Sequence, residues 1–175
     1  MKDKADESIR DYFAEEKWDE ARKIIESELK KEPEDHWLLT RLSSTYYEQN
    51  DYSKALETSK KAYKISPNCP LVLWDYACAL DMLKNEMEAI ELWKKIISFG
   101  LEKVAHDECG EGVRWAKSII NDCRYRIASS YFDLKNYTEA KVFLEAHIKN
   151  RKRGQPSLYG LKEVKKKYKD TLIKL

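Results

Sequence analysis

The amino-acid sequence predicts an all-α chain built as a stack of antiparallel helix hairpins, and two observations carry that prediction. The first is a repeat. Leu42, Ser43, Tyr46, Ala55, Ala62 and Pro67 are followed 34 residues later by Tyr76, Ala77, Leu80, Ala89, Ile96 and Leu101. Large side chains recur as large and small ones as small, except that Ala62 becomes Ile96 and Pro67 becomes Leu101. A period of this size marks a stacked array, because one helical hairpin cannot bury its apolar face alone. The second is composition. With 5 Gly and 4 Pro in 175 residues there is little room for the tight turns of an all-β fold, and the strong helix formers Ala, Leu, Lys and Glu dominate.

By length the chain is expected to be one domain, with hairpins at about 2–35, 36–69, 70–103 and 121–154. In the first, Tyr12, Trp18, Ala21, Ile25 and Pro33 stand 34 residues before Tyr46, Tyr52, Ala55, Ser59 and Pro67. Its opening helix is almost wholly polar up to Ser8, so its first turns are expected to fray. Its second, from Trp18 to Leu29, repeats Ala21, Ile24, Ile25 and Leu29 at helical spacing, and Pro33 ends the unit. In the next hairpin Asp35 is placed to cap a helix whose apolar face carries Leu38, Leu39, Leu42 and Tyr46. Residues 48–51 make the turn, and 52–65 the return helix. Residues 71–83 and 87–99 form the third hairpin, with Gly100 suited to the left-handed residue after a helix end.

The fourth hairpin comes late. Ile127, Ala128, Tyr131, Tyr137, Ala140 and Leu144 resume the pattern, but Ala89 and Ala140 are 51 residues apart, one period plus 17. The extra residues, about 104–120, begin as a loop around His106. Val113, Ala116, Ile120, Cys123, Ile127 and Tyr131 then predict one long helix over 113–134, roughly 33 Å at 1.5 Å per residue, its first two turns projecting past the neighbouring pair. After a break at residues 154–157, a basic helix over about 157–173 places Leu161, Val164, Tyr168 and Leu172 on one side, as the cap of a stacked array requires.

Small residues at the eighth, twentieth and twenty-seventh places of the second repeat (Ser43, Ala55, Ala62), with Pro67 at the thirty-second, resemble the tetratricopeptide-repeat pattern. The third repeat keeps Ala77 and Ala89 but has Ile96 at the twenty-seventh place, and the fourth has His147 there, which predicts a looser last packing contact. The resemblance covers residues 2–154. It implies a right-handed superhelix of about four hairpins, an α-solenoid, and a non-catalytic module or adaptor that binds a peptide or partner helix in a concave groove. Transferred to this sequence, the family's groove positions are Trp37, Thr40, Arg41, Ser44 and Tyr47 in the second repeat. They are Leu71, Trp74, Asp75, Cys78 and Asp81 in the third, and Asp122, Tyr125, Arg126, Ser129 and Phe132 in the fourth. The aromatic and Arg members are the types that concentrate binding energy; Trp37, Trp74 and Tyr125 with Arg41 and Arg126 would grip an extended peptide with acidic groups. Alternatively, the tryptophans pack on the cap or the inserted segment and fill their own groove, or a second copy of the chain covers them. Of the residues that form the family's clamp for chaperone tails, only Arg126 is present, which argues against that subtype.

Three further readings concern charge and chemistry. Residues 149–175 hold ten Lys or Arg against Glu163 and Asp170, so this tail has a net charge of +8 and the remaining residues −6. Such a tail can attach to an anionic surface or nucleic acid; with no aromatics interleaved for base stacking, it reads first as the solvated face of a cap over an acidic body. His106, Cys109 and Cys123, beside Asp107 and Glu108, are metal-ligand types, and His106 with Cys109 could also be a base and nucleophile. No fourth ligand has matching spacing, and no phosphate loop, nucleophile elbow or paired C-x-x-C occurs. No cofactor is implied, and the four cysteines are expected as reduced, buried residues of a cytoplasmic chain. No run of about 18 apolar residues predicts a membrane span.

Overall fold

A computed structural model describes residues 2–175, with side chains from Lys4 onward. Its described residues form nine helices and no strand: α1 Lys2–Ala14, α2 Trp18–Leu29, α3 His36–Glu48, α4 Tyr52–Ile65, α5 Pro70–Met82, α6 Glu86–Ala105, α7 Gly112–Asp133, α8 Tyr137–Lys152 and α9 Leu161–Lys174. The fold is an all-α helical repeat. The chain divides into two compact units, Met1–Leu83 and Lys84–Leu175, the division falling in the turn between α5 and α6.

The repeat period reappears in the backbone. Each hairpin turn contains one non-glycine residue of positive φ: Glu16 (56°), Asn50 (62°), Lys84 (65°) and Lys135 (59°). These positions are 34, 34 and 51 residues apart, the spacing of the sequence pattern. In three of the turns the amide just after this residue returns to a carbonyl on the preceding helix: Lys17 to Tyr12 at 2.8 Å, Asp51 to Tyr46 at 2.9 Å and Asn136 to Tyr131 at 2.8 Å. Such bonds satisfy carbonyls that a helix end leaves over. The following helix is then capped by the side chains of Asp51 and Asn136, which accept from the Lys54 and Glu139 amides. Asp35 caps α3 as expected, accepting from the Leu38 amide at 3.0 Å.

In the first unit, Ile9, Ala21, Ile25 and Leu38 are buried together, with Tyr12, Phe13 and Trp37 packed against them. The small residues of the repeat sit where helices cross: Ala21, Ala55, Ala62 and Ala77 are fully buried, and Ser43 donates to the Ala55 carbonyl at 2.9 Å. A larger side chain at these places would force the helices apart. Helix α5 is apolar on nearly every face and correspondingly buried on nearly all of them. It packs on α3 and α4.

The second unit holds the inserted residues, and it differs from expectation in three ways. Within the span of α6 the helix is broken at Gly100, where φ is 77° and ψ 170°, and a second short helical segment, absent from the expectation, runs on to Ala105. The positive φ was expected, but the ψ is not that of a left-handed helical residue. Helix α7 has the predicted length, yet its early turns do not simply project: Ala116, Ile119 and Ile120 are buried. The cap helix begins at Leu161, later than predicted, because residues 157–160 are drawn into a loop. Its inward residues include Val164 and Thr171, both fully buried, whereas Leu172 is exposed.

Candidate functional site

Helices α1, α3 and α5 are the first helices of three successive hairpins, and α3 packs directly on α5. Helical spacing puts Trp37, Arg41 and Ser44 on one face of α3. Two guanidinium groups stand near the Trp37 ring, with the Arg41 Cζ 5.2 Å from its centroid and the Arg10 Cζ 5.7 Å. Arg41 also stands 5.6 Å from the Phe13 ring. Two arginines and two aromatic rings from α1 and α3 thus form one array, in which cation and ring quadrupole attract each other. Trp37 is half-buried, one side on the hydrophobic core.

Asp75 reaches this array from α5. The Ser44 hydroxyl donates to its Oδ2 at 2.5 Å, and the positive charge of Arg41 also acts on it. Burial nevertheless dominates and pushes the Asp75 carboxyl up to about 6, because removing a charged group from water costs more than these neighbours return. Trp74 and Tyr47 are half-buried, Tyr47 lying edge-on to Tyr52 at 5.4 Å. Three other sequence candidates of this unit face inward. Cys78 is 5% exposed, and Leu71 and Thr40 are buried, the Thr40 hydroxyl returning to the His36 carbonyl at 2.7 Å. Cys78 therefore cannot line an open groove, a consequence of the all-round burial of α5.

The candidates on α7 have a different fate. Tyr125 is 4% exposed because the chain's own C-terminal segment covers it. Its ring lies 4.2 Å from that of Tyr159, its hydroxyl donates to Glu163 at 2.6 Å, and Lys167 stands over both Tyr125 and Phe132. Burial and the Glu163 carboxylate together raise the Tyr125 phenol well above its ordinary value. Asp122, also buried, is a fastening for the loop before α9: it accepts from the Ser157 hydroxyl, from the Leu158 amide at 3.2 Å and from the Ser118 hydroxyl at 3.2 Å. Arg126 is half-buried with its guanidinium 5.6 Å from the buried Trp93 ring, and Ser129 is half-buried one turn beyond Tyr125. The cap thus covers Tyr125, whereas the sequence raised such covering for the tryptophans.

His147 corrects another expectation. The imidazole standing where alanine is usual is wholly buried rather than loosely packed, with Nδ1 2.9 Å from the Asn121 carbonyl and its ring 5.8 Å from Tyr125. Nothing in the sequence at position 147 announces the partner; the backbone at Asn121 becomes its neighbour only once α7 and α8 pair.

The three metal-ligand types of the inserted segment do not form one cluster among the described residues. His106 is exposed beside Glu102, Cys109 is buried in the loop, and Cys123 is buried on α7. His106, Cys109 and Cys123 are not gathered within ligand distance of one another.

The tetratricopeptide-repeat family model matches residues 38–69 and 122–151. These two stretches are tetratricopeptide repeats. The matched stretches are the second and fourth hairpins, and the inserted residues fall outside both. The fold is similar to that of a Podosopora anserina putative kinesin light chain with nearly identical TPR-like repeats: identity is 13%, 98% of this chain and 84% of that one are covered, and the TM-score is 0.70. It is similar to MamA at 17% identity, covering 95% and 87%, with a TM-score of 0.64. A thermophilic TPR protein from Thermus thermophilus aligns at 15% identity over 99% of this chain and all of that one, with a TM-score of 0.52. At these identities the likeness is one of fold. No curated protein matches the sequence. Tetratricopeptide repeats are in general protein-interaction scaffolds, and no described helix of this chain is long and apolar enough to cross a membrane.

Proposed function

We propose that the first unit holds an extended segment or helix of a protein partner against the face formed by α1, α3 and α5, without catalysis. The observation that carries this reading is the array of Arg10, Trp37, Arg41 and Phe13. The guanidinium groups supply positive charge beside the rings, and the rings supply apolar area. Trp74, Tyr47 and the Ser44–Asp75 pair extend the same face with further polar and aromatic groups. Because packing holds these side chains before a partner arrives, the ordering cost of binding falls mainly on the partner. A partner segment carrying acidic groups suits the two arginines, and Asp75 provides an opposite charge that fixes its register.

The test is affinity capture from the native cell extract with wild type and with the double variant Arg10→Glu/Arg41→Glu, after circular dichroism has established that both are folded. Loss of a wild-type partner from the variant supports this face as the site. Equal recovery of that partner by both baits overturns it. Arg126→Glu is unsuitable as a probe of the same face, because Arg126 lies over the buried Trp93 and its loss would disturb packing in the second unit.

A further inference from the structure

The two sides of α9 differ in character. Its inward side is set by Val164 and Thr171, both fully buried, and the Tyr168 hydroxyl ties the helix to α8 by donating to Glu145 at 2.8 Å. On the opposite side Lys162, Lys166, Lys169 and Ile173 follow one another at fours and threes, the spacing of one straight stripe along a helix. Lys165 flanks that stripe, and all four of these lysines are exposed.

Several lysines on other helices pair with a carboxylate three or four residues away: Lys31 with Glu28, Lys54 with Asp51, Lys61 with Glu57 and Lys94 with Glu91, at 2.6 to 3.1 Å. Among the described residues, no carboxylate pairs with Lys162, Lys165, Lys166 or Lys169. Lys162 instead stands three and four residues from Lys165 and Lys166, and each of these is four or three residues from Lys169. Like charges at these spacings weaken a helix. The two acidic residues of α9, Glu163 and Asp170, are seven apart and so share a flank off the stripe, with Glu163 accepting the Tyr125 hydroxyl at 2.6 Å. The stripe ends on apolar groups: Ile173 is 79% exposed, Leu175 61% and Leu172 44%, so bare aliphatic side chains adjoin the last lysine of the row.

We infer that this side of α9, with its row of unpaired lysines ending on exposed Ile173 and Leu172, binds the surface of an anionic lipid bilayer. The ammonium groups meet the charged headgroups, their flexible stems letting each reach the headgroup plane. Ile173 and Leu172 enter the boundary between headgroups and acyl chains. Attachment is peripheral: α9 stays packed on α8, and no described helix is long and apolar enough to cross a membrane. Nucleic acid suits the row less well, because it contains no aromatic ring for base stacking and ends on aliphatic groups. A protein partner suits it less well too. A row of like charges with no acidic member sets no register, and a fluid lipid surface needs none.

The experiment is co-sedimentation of the full chain with vesicles of phosphatidylcholine alone and of phosphatidylcholine with about 30 mol% phosphatidylserine. The expected result is partitioning onto the serine-containing vesicles at least about ten-fold above the neutral ones, weakening as salt is raised. It should fall by about ten-fold or more on the triple variant Lys162→Glu/Lys166→Glu/Lys169→Glu, and by about three-fold or more on Ile173→Asp. The Arg10→Glu/Arg41→Glu variant should stay within about two-fold of wild type, because the proposed partner-binding face plays no part. All four α9 positions are exposed, and circular dichroism would verify that each variant is folded. No binding, equal binding to neutral vesicles, binding unchanged by either α9 variant, or loss on the Arg10/Arg41 variant would each overturn the proposal. So would tighter binding, at the same salt, to a DNA duplex, which would assign the row to nucleic acid.

Discussion

The Ser44 hydroxyl donates to the Asp75 carboxylate at 2.5 Å, joining α3 to α5 in the middle of the proposed binding face. Burial raises the Asp75 carboxyl to about 6 against an ordinary 3.8, despite that bond and the nearby Arg41 charge. A group raised on folding contributes stability that is fully present below its unfolded value and lost as pH rises through the folded one. For Asp75 the window is about pH 4 to 6. Asp75→Asn keeps an acceptor for Ser44 and removes the titration. It should raise stability at pH 7.5 by on the order of 1 to 3 kcal/mol and flatten the pH dependence across that window, as measured by urea unfolding. An unchanged pH profile would refute the assignment.

His147 titrates in the other direction. Burial lowers its imidazole from 6.5, so the folded state resists protonation. Stability from this residue is complete above 6.5 and is lost as pH falls from there through the lowered folded value. His147→Ala should remove that acid sensitivity, yet still destabilise at pH 7.5 by about 2 to 4 kcal/mol, even though alanine is the family's usual choice. The packing has formed around the ring, and the Asn121 carbonyl would lose the imidazole contact. Parallel urea titrations at pH 5 and 7.5 would separate the two effects.

Asp122→Ala should loosen the loop before α9. The Ser157 hydroxyl and Leu158 amide lose their acceptor, at a cost of roughly 1 to 3 kcal/mol. Faster tryptic cleavage after Lys152 or Arg153, followed by mass spectrometry of the released C-terminal segment, is the expected outcome. Wild-type resistance in the variant would mean that the Tyr125–Tyr159 stack holds α9 unaided.

Gly100→Ala isolates a backbone effect, because a Cβ at this residue meets no atom within 4 Å. The φ of 77° and ψ of 170° belong to a region that side-chain-bearing residues avoid. Thermal unfolding should register a loss of about 1 to 3 kcal/mol.

Sequence alone determined the repeat of this protein and the ends of most helices. The apolar and small positions recur at a period that only stacked hairpins satisfy, and the turn residues fall at the same period. Trp18–Leu29 and Tyr52–Ile65 begin and end where the sequence places them, because caps, turns and proline breaks are local chemistry. The candidate site was legible only in part. Trp37, Arg41, Ser44 and Asp75 come together because regular helices of adjacent hairpins bring equivalent faces side by side. Cys78 and Tyr125 occupy formally equivalent places but are buried, one on a helix apolar all round and the other beneath α9. Only the tertiary structure decided that Asp122 would fasten a loop, that His147 would be an interior hydrogen-bonding residue, and that the cap would begin at Leu161. Those outcomes depend on contacts between segments far apart in the chain, such as Tyr125 with Glu163, 38 residues away. Periodicity reveals which face of a helix is apolar. What finally covers that face depends on packing between distant segments.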